Sequence, residues 1–260
     1  MVRPRNLTEC QISPALEVVA SDRPAHARHQ PMEEEQRSRA SAEPGAWVAW
    51  HDAYDRPGSG LARRLAVVRR RIGDVLDVAV AGAAAPSGPL RILSLCSGDG
   101  RDLLPELAAR PGLAVRAVLV ELDGHLAERA RAGAESAPGV EVRRGDAGDP
   151  ALFADALPVD LLLLCGIFGN VSDTDIRATV GAVPSLMAPG GTVIWTRGRL
   201  GGEDDLRPVI RRWFSDAGLT EVAFDGAPET FGVGVARRDP GVAAGPGLPP
   251  LPGRLFTFVR

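Results

Sequence analysis

The sequence predicts an α/β fold, with a mostly parallel sheet and helices on both of its faces. Three observations carry that expectation. Short apolar runs alternate with segments of helical periodicity across residues 91–197, the pattern of successive βαβ units. The first run, Arg91–Leu95, passes directly into a turn of small residues, Cys96-Ser97-Gly98-Asp99-Gly100. Beyond residue 217 the pattern changes to two strand-like runs joined by a short turn, which adds antiparallel strands to one sheet edge.

In chain order, residues 1–43 mix Pro, Arg, Glu, Ser and Ala without sustained periodicity and read as a flexible extension. Trp47, Trp50, His51 and Tyr54 fall at helical spacing, and Pro57-Gly58 ends that helix. Ser59 is a candidate N-cap for an amphipathic helix over 60–81 whose apolar stripe runs through Leu61, Leu65, Val68, Ile72 and Leu76. The Ala/Gly/Pro linker Gly82–Pro89 leads to strand Arg91–Leu95, helix Arg101–Arg110, strand Val115–Glu121 and helix Gly124–Ala134. Strand Val140–Arg144, a short helix over Pro150–Asp155, strand Asp160–Cys165, helix Asp173–Leu186 and strand Thr192–Arg197 follow. Helix Asp205–Ala217, strand-like runs Glu221–Phe224 and Phe231–Arg237, a Pro/Gly-rich loop and a last strand-like run, Leu255–Val259, close the chain. The expected organisation is an extension (1–43), an N-terminal helical cap (44–88) and a ligand-binding domain (89–260).

A chain of 260 residues with 45% hydrophobic content can bury a substantial core. The net charge of -3 argues against nucleic acid as a partner. All 30 basic residues are arginine, read as coding bias, and the Arg63–Arg71 cluster lies off the apolar stripe as a solvated face. Cys10, Cys96 and Cys165 are odd in number and scattered, which fits a reducing cytoplasm better than a disulfide framework. No apolar run approaches the ~18 residues of a membrane-spanning helix. The four histidines are scattered, and no His–Cys spacing matches a metal site.

The turn after the first strand invites a nucleotide-like ligand, because Gly98 and Gly100 let backbone approach where a Cβ would collide. Glu121 ends the second strand, where an acid accepts from ribose hydroxyls. That alone fits a dinucleotide and S-adenosylmethionine equally. The dinucleotide fingerprint needs a small residue three positions after its second glycine, and this chain has Leu103 there. The third strand ends in Gly145-Asp146-Ala147, a carboxylate placed to accept from an adenine amino group beside a backbone N–H that reads a ring nitrogen.

This combination resembles the class I S-adenosylmethionine-dependent methyltransferases over roughly residues 90–238. Their glycine-rich first motif corresponds to Ser94-Leu95-Cys96-Ser97-Gly98-Asp99-Gly100, the ribose acid to Glu121, the adenine acid to Asp146, and the turn before the fifth strand to Ala188-Pro189-Gly190-Gly191-Thr192. The resemblance implies a three-layer Rossmann-like fold with a seven-stranded sheet. It also implies S-adenosyl-L-methionine as cofactor and contacts from Ser94, Cys96, Ser97, Gly98, Gly100, Asp102, Glu121, Leu122, Gly145, Asp146, Ala147, Cys165 and Gly166. Two positions depart from the family pattern: its usual acid is Ser94 and its first glycine is Cys96. The methionine amino group then needs other acceptors, such as the carbonyls of Cys96 and Cys165, or Asp102. Asp102 also reads simply as a carboxylate at a helix start.

On the substrate side, the segment Cys165–Asp173 lacks the (Asn/Asp)-Pro-Pro-(Tyr/Phe) signature of enzymes that methylate base or glutamine amides. Asn170 is a candidate for orienting an acceptor, or an Asn in a left-handed turn with Ser172 or Asp173 capping the next helix. Trp47, Trp50, Phe168, Trp195 and Arg197 are candidate substrate contacts, with His51 as general base and Tyr54 as helper. The aromatics of 47–54 read equally as a helix docked by its core face. The expected activity is methyl transfer to oxygen or nitrogen of a small molecule. A nicotinamide-dependent oxidoreductase, a non-methylating cofactor-binding protein on the same fold and an RNA methyltransferase are the alternatives.

Overall fold

The computed structural model describes residues 52–82, 88–198, 205–226, 230–241, 248 and 250–259. A 3-10 turn, Asp52–Asp55, precedes helix α1 (Gly60–Val80). Strand β1 (Leu90–Leu95), helix α2 (Leu104–Ala108), β2 (Val115–Glu121), α3 (Gly124–Ala134) and β3 (Val140–Arg144) follow. Two 3-10 turns, Pro150–Leu152 and Ala154–Ala156, lead to β4 (Val159–Leu164), α4 (Asp173–Leu186) and β5 (Met187–Gly198). Helix α5 (Arg207–Asp216) and strands β6 (Leu219–Asp225) and β7 (Phe231–Arg238) complete the elements. The extension 1–43, Cys10, Trp47, Trp50 and His51 lie outside the described residues.

Local chemistry explains where most elements begin. The Ser59 hydroxyl accepts from Ala62 N at 3.0 Å and starts α1. The Asp123 carboxylate accepts from His125 N and Leu126 N and starts α3, and the Ser172 hydroxyl accepts from Asp175 N at 3.1 Å and starts α4. Each satisfies a backbone donor that the first helical turn leaves unpaired. Helix α2 is shorter than the periodicity predicts. Leu103 N and Leu104 N both bond back to Gly100 O, and Pro105 sits in the first turn, so regular helix starts past the small-residue turn.

The seven strands form one sheet in the order β3-β2-β1-β4-β5-β7-β6. The β1–β2, β1–β4, β2–β3 and β4–β5 pairs are parallel, and β7 runs antiparallel to both β5 and β6. Strand β5 begins earlier than expected. Met187 pairs with Val159, and the register then shifts so that Thr192 pairs with Leu161 across the Pro189-Gly190-Gly191 turn. Leu255–Val259 does not join the sheet as its apolar pattern predicts. It makes one isolated bridge, Phe258 to Val171, while Leu255 and Phe256 bury their side chains in the core.

Two apolar clusters cover the sheet. One holds Val68, Ile72 and Leu76 of α1 with Ile92, Leu119 and Leu163 of the strands. Helix α1 is therefore a layer of the sheet domain rather than a separate cap. The other gathers Leu93, Val120, Leu162 and Trp195 with Ile176 and Val183 of α4 and Phe214 of α5. No helix among the described residues is long and apolar enough to cross a membrane.

Trp195 is 1% exposed, its ring 5.5 Å from Phe214 and nearly parallel to it, and its cross-strand partner is Gly234. A Cβ on Gly234 would lie 2.2 Å from the indole Cε2. Gly234→Ala is expected to cost about 3 kcal/mol through overpacking, read as a lower urea midpoint with an unchanged m-value. An unshifted midpoint contradicts the slot.

Candidate active site

In an open parallel sheet, ligands sit outside the carboxyl ends of the strands where the strand order reverses. Here that point lies between β1 and β4. The turn leaving β1 is forced into left-handed backbone at Cys96 (φ 55°), Gly98 (φ 58°) and Gly100 (φ 74°). Cys96 is the one non-glycine among the described residues with positive φ, a conformation that costs about 1–3 kcal/mol. It occupies the position where the resemblance expects glycine, and it keeps glycine's conformation. Ser97 N donates to Val120 O at 3.0 Å and pins the turn to β2.

Glu121 joins the next two turns. One carboxylate oxygen accepts from Gly98 N at 2.8 Å, the other from Asp123 N at 2.8 Å, and the residue is 9% exposed. Burial pushes its carboxyl above the usual range, and the two backbone donors pull the other way. Gly98 N–H is thus already used within the protein. Leu122, beside it, is 60% exposed and offers an apolar surface at the tip of β2. At the tip of β3, Asp146 accepts from Gly148 N at 2.9 Å and pairs with Arg254 of the C-terminal segment. Gly145 N donates to Glu121 O, tying this tip to β2, and Ala147 is buried in the core. Sequence reasoning missed Arg254, whose only local signal is its place in the C-terminal tail.

Asp102 follows the turn, 9% exposed, and its Oδ1 has no hydrogen-bond partner. Its carboxyl is pushed up to about 6, first by burial, with its own and the Leu103 backbone N–H opposing, Asp99 adding and Arg64 opposing. Ser97 Oγ is a second buried, unpartnered polar atom on the same turn. Tyr54 is half-buried nearby. Its hydroxyl bonds to Arg64, and the Arg64 and Arg101 guanidinium carbons lie 5.7 and 5.1 Å from its ring centre. Burial holds its phenol above the usual value, so Tyr54 is protonated at neutral pH and is not a base there. Burial likewise raises the Cys96 and Cys165 thiols well above their usual values, which removes thiolate chemistry from both.

The turn leaving β4 faces this cluster. Gly166 has φ 81° and open space where a Cβ would stand, and its N–H donates to Thr196 Oγ1 at 2.9 Å. Asn170 is not left-handed. Its side-chain amide donates to Gly166 O at 2.7 Å, and its own carbonyl accepts from Val259 N. It positions the turn. Phe168 and Trp195 were expected on the pocket wall, but at 0% and 1% exposure they are enclosed in the core. Arg197, also expected to face substrate, is 7% exposed and donates to Phe168 O, holding the turn from beneath. Among the described residues no group of three or more His, Cys, Asp or Glu is placed to hold a metal ion.

By sequence, no family model and no curated protein matches the chain. Structure comparison finds solved proteins of similar fold. An O-methyltransferase family protein from Burkholderia thailandensis superimposes with a TM-score of 0.58 at 17% identity, over 80% of this chain and 64% of that one. The chain thus spans under two thirds of that protein's length. Magnesium protoporphyrin IX methyltransferase from Synechocystis PCC 6803, solved with SAM bound, gives 0.54 at 13% identity, over 83% of this chain and 100% of the other. The fold is that of the class I methyltransferases. Its strand order sets Glu121, Asp146 and Gly166 at three strand tips beside the reversal, where sheets of this kind open their ligand cleft.

Asp102 makes a pH-dependent stability prediction. A folded-state value near 6 against the ordinary 3.8 means the folded chain holds a proton that the unfolded chain has released. Stability should therefore fall as pH rises from about 4 to about 6 and stay reduced above, by at most about 3 kcal/mol. Asp102→Asn should remove that slope and be roughly 1–3 kcal/mol more stable than wild type at pH 8 in urea titrations. Equal pH slopes for both proteins contradict the assignment.

Proposed function

We propose that the chain is an S-adenosylmethionine-dependent methyltransferase acting on oxygen or nitrogen of a small molecule. The observation that carries this is the convergence of three strand tips on one cleft: Glu121 after the glycine turn, Asp146 beyond it, and open backbone at Gly166. Glu121 keeps lone pairs for ribose hydroxyls after its two backbone bonds, the exposed Leu122 offers a face for the purine, and Asp146 accepts from the adenine amino group. Ser97 Oγ and Asp102 Oδ1 are buried polar atoms still waiting for partners, as a polar ligand at this turn requires. Cys96, Gly98 and Gly100 give the turn its shape, while Ser94, at 1% exposure, sits beneath it.

When bound, the cofactor supplies a methyl group on a sulfonium, open to in-line attack by a neutral nucleophile. The chain's own work is alignment and exclusion of water. Asn170, Thr196 and Arg197 hold the turn at Gly166–Phe168. Tyr54 is held by Arg64 and Arg101, whose guanidinium groups lie near its ring. A base is needed only if the acceptor must lose a proton first. From the sequence, His51 is our candidate for that step, with Tyr54 as helper and Trp47 and Trp50 as candidate acceptor contacts. Free thiols at Cys96 and Cys165 fit a reducing cytoplasm. A dinucleotide enzyme is disfavoured by Leu103, whose side chain is fully buried where that fingerprint needs a small residue.

Calorimetry with S-adenosylmethionine, S-adenosylhomocysteine and NAD tests the reading. We expect both sulfur nucleosides to bind and NAD not to. Glu121→Gln and Asp146→Ala should each weaken S-adenosylmethionine by roughly 10-fold or more, the loss of one hydrogen bond to a charged group. Binding of NAD with no response to either sulfur nucleoside overturns the proposal. With binding in hand, a metabolite screen for S-adenosylhomocysteine release identifies the acceptor.

A further inference from the structure

The amino end of the sheet, opposite the strand tips described above, holds a cavity of about 460 Å³, within the size range of small-molecule sites. The starts of β1 and β4 reach it through Leu90 and Asp160, and the turn Pro189–Thr192 bounds it on the β5 side. Helix α1 contributes Arg71, Val75, Val78 and Ala79, which are spaced three and four apart and so share one face. Strand β6 contributes two consecutive residues, Val222 and Ala223. Neighbours in a regular strand point to opposite faces, but the β6 register shifts between Glu221 and Ala223, and Val222 is the extra residue of that bulge. Val78 is 50% exposed and Val222 60%. Single exposed valines are ordinary, whereas these two border the same concave site.

The acids at this cavity already have partners. Asp74 pairs with Arg71 at 3.2 Å, and Arg71 also pairs with Asp225 at 2.8 Å. Asp160 accepts from Arg91, from its backbone N at 2.9 Å and from its guanidinium at 3.3 Å. Arg237 differs from these arginines. Its Nε donates to Gly190 O at 3.0 Å, which fixes the guanidinium against the β5 turn, and among the described residues no carboxylate pairs with it. Val235, two residues earlier and so on the same face of β7, is buried against the α1 side of the sheet. The two Nη groups of Arg237 are left as a planar fork, the geometry that holds a carboxylate through two parallel bonds.

We propose that this cavity is a second ligand site, for an amphiphilic monoanion: an apolar chain lying against Val75, Val78 and Val222 and ending in a carboxylate on Arg237. One guanidinium without an acid calls for one negative charge. A dianionic phosphate would leave excess charge beside Asp74 and Asp160. The apolar wall supplies most of the affinity and the Arg237 fork sets the orientation. The site lies at the other end of the strands from Gly98 and Gly166 and does not depend on the S-adenosylmethionine reading.

The test is calorimetry on the full chain with octanoate, uncharged 1-octanol and octyl phosphate, each without and with S-adenosylhomocysteine. Wild type should bind octanoate saturably, roughly 10-fold more tightly than 1-octanol and more tightly than octyl phosphate. Arg237→Gln should bring octanoate down to the 1-octanol level, and Val222→Asp should weaken both by about 10-fold. S-adenosylhomocysteine should leave the octanoate affinity unchanged. In amide NMR spectra octanoate should shift Val78, Gly190, Val222 and Arg237 and leave Gly98 and Gly166 in place. No octanoate binding, equal affinity for octanoate and 1-octanol, or an affinity that Arg237→Gln does not change overturns the proposal. Tighter binding of octyl phosphate overturns the choice of a monoanion. Sedimentation velocity tests the other occupant: a wild-type dimer that Val222→Asp dissociates makes this face an interface between copies and overturns the ligand site. Should Arg237→Gln fail to fold, the wild-type ratio of octanoate to 1-octanol decides alone.

Discussion

The Glu121 carboxylate, accepting from Gly98 N and Asp123 N at 2.8 Å each, sets the geometry on which the cleft depends. One side chain at the tip of β2 fixes the turns after two adjacent strands. The turn after β1 can then stay in left-handed backbone at Cys96, Gly98 and Gly100, which an unsupported loop would not hold. Because β1 sits in the sheet between β2 and β4, this pinned turn faces the β4 turn across the point where the order reverses. The cleft is a consequence of topology, and Glu121 makes its first wall rigid.

The opposite wall is supported from below and from the side. Thr196 and Arg197 at the end of β5 bond to Gly166 N and Phe168 O, and Asn170 closes onto Gly166 O. The C-terminal segment ties the two ends together. Leu255 N bonds to Gly148 O after β3, Arg254 pairs with Asp146, and Val259 N bonds to Asn170 O. A stretch with the apolar pattern of a strand thus serves as a strap across the sheet's carboxyl edge. Asp102 is the counterweight to this rigidity. It is a buried carboxylate whose Oδ1 has no hydrogen-bond partner in the protein.

Much of this was legible in the sequence where the signals are local. Val115–Glu121, Gly124–Ala134, Val140–Arg144 and Asp173–Leu186 have the bounds that periodicity and the caps at Asp123 and Ser172 predict. The acids at strand tips were also legible, since a carboxylate ending an apolar run reads the same with or without coordinates. What was hidden depends on partners distant in the chain. Pro189-Gly190-Gly191 reads as a break, yet pairing with Val159 extends β5 through it. Trp195 and Phe168 read as pocket aromatics, but Gly234 opens a slot across the sheet that takes the indole into the core. Arg254 and Thr196 carry no motif at all, and only the tertiary fold brings them to Asp146 and Gly166.

The most direct measurement of the central claim is a backbone-amide NMR titration of the labelled chain with S-adenosylhomocysteine. The shifts should concentrate at Gly98, Leu122, Asp146–Gly148 and Gly166, the tips of β1 to β4 around the strand-order reversal. A cavity of about 460 Å³ at the opposite end of the sheet, lined by Arg71, Val78, Val222 and Arg237, should show none. Shifts gathered at that cavity, with the four strand tips unmoved, would contradict the cleft as the ligand site.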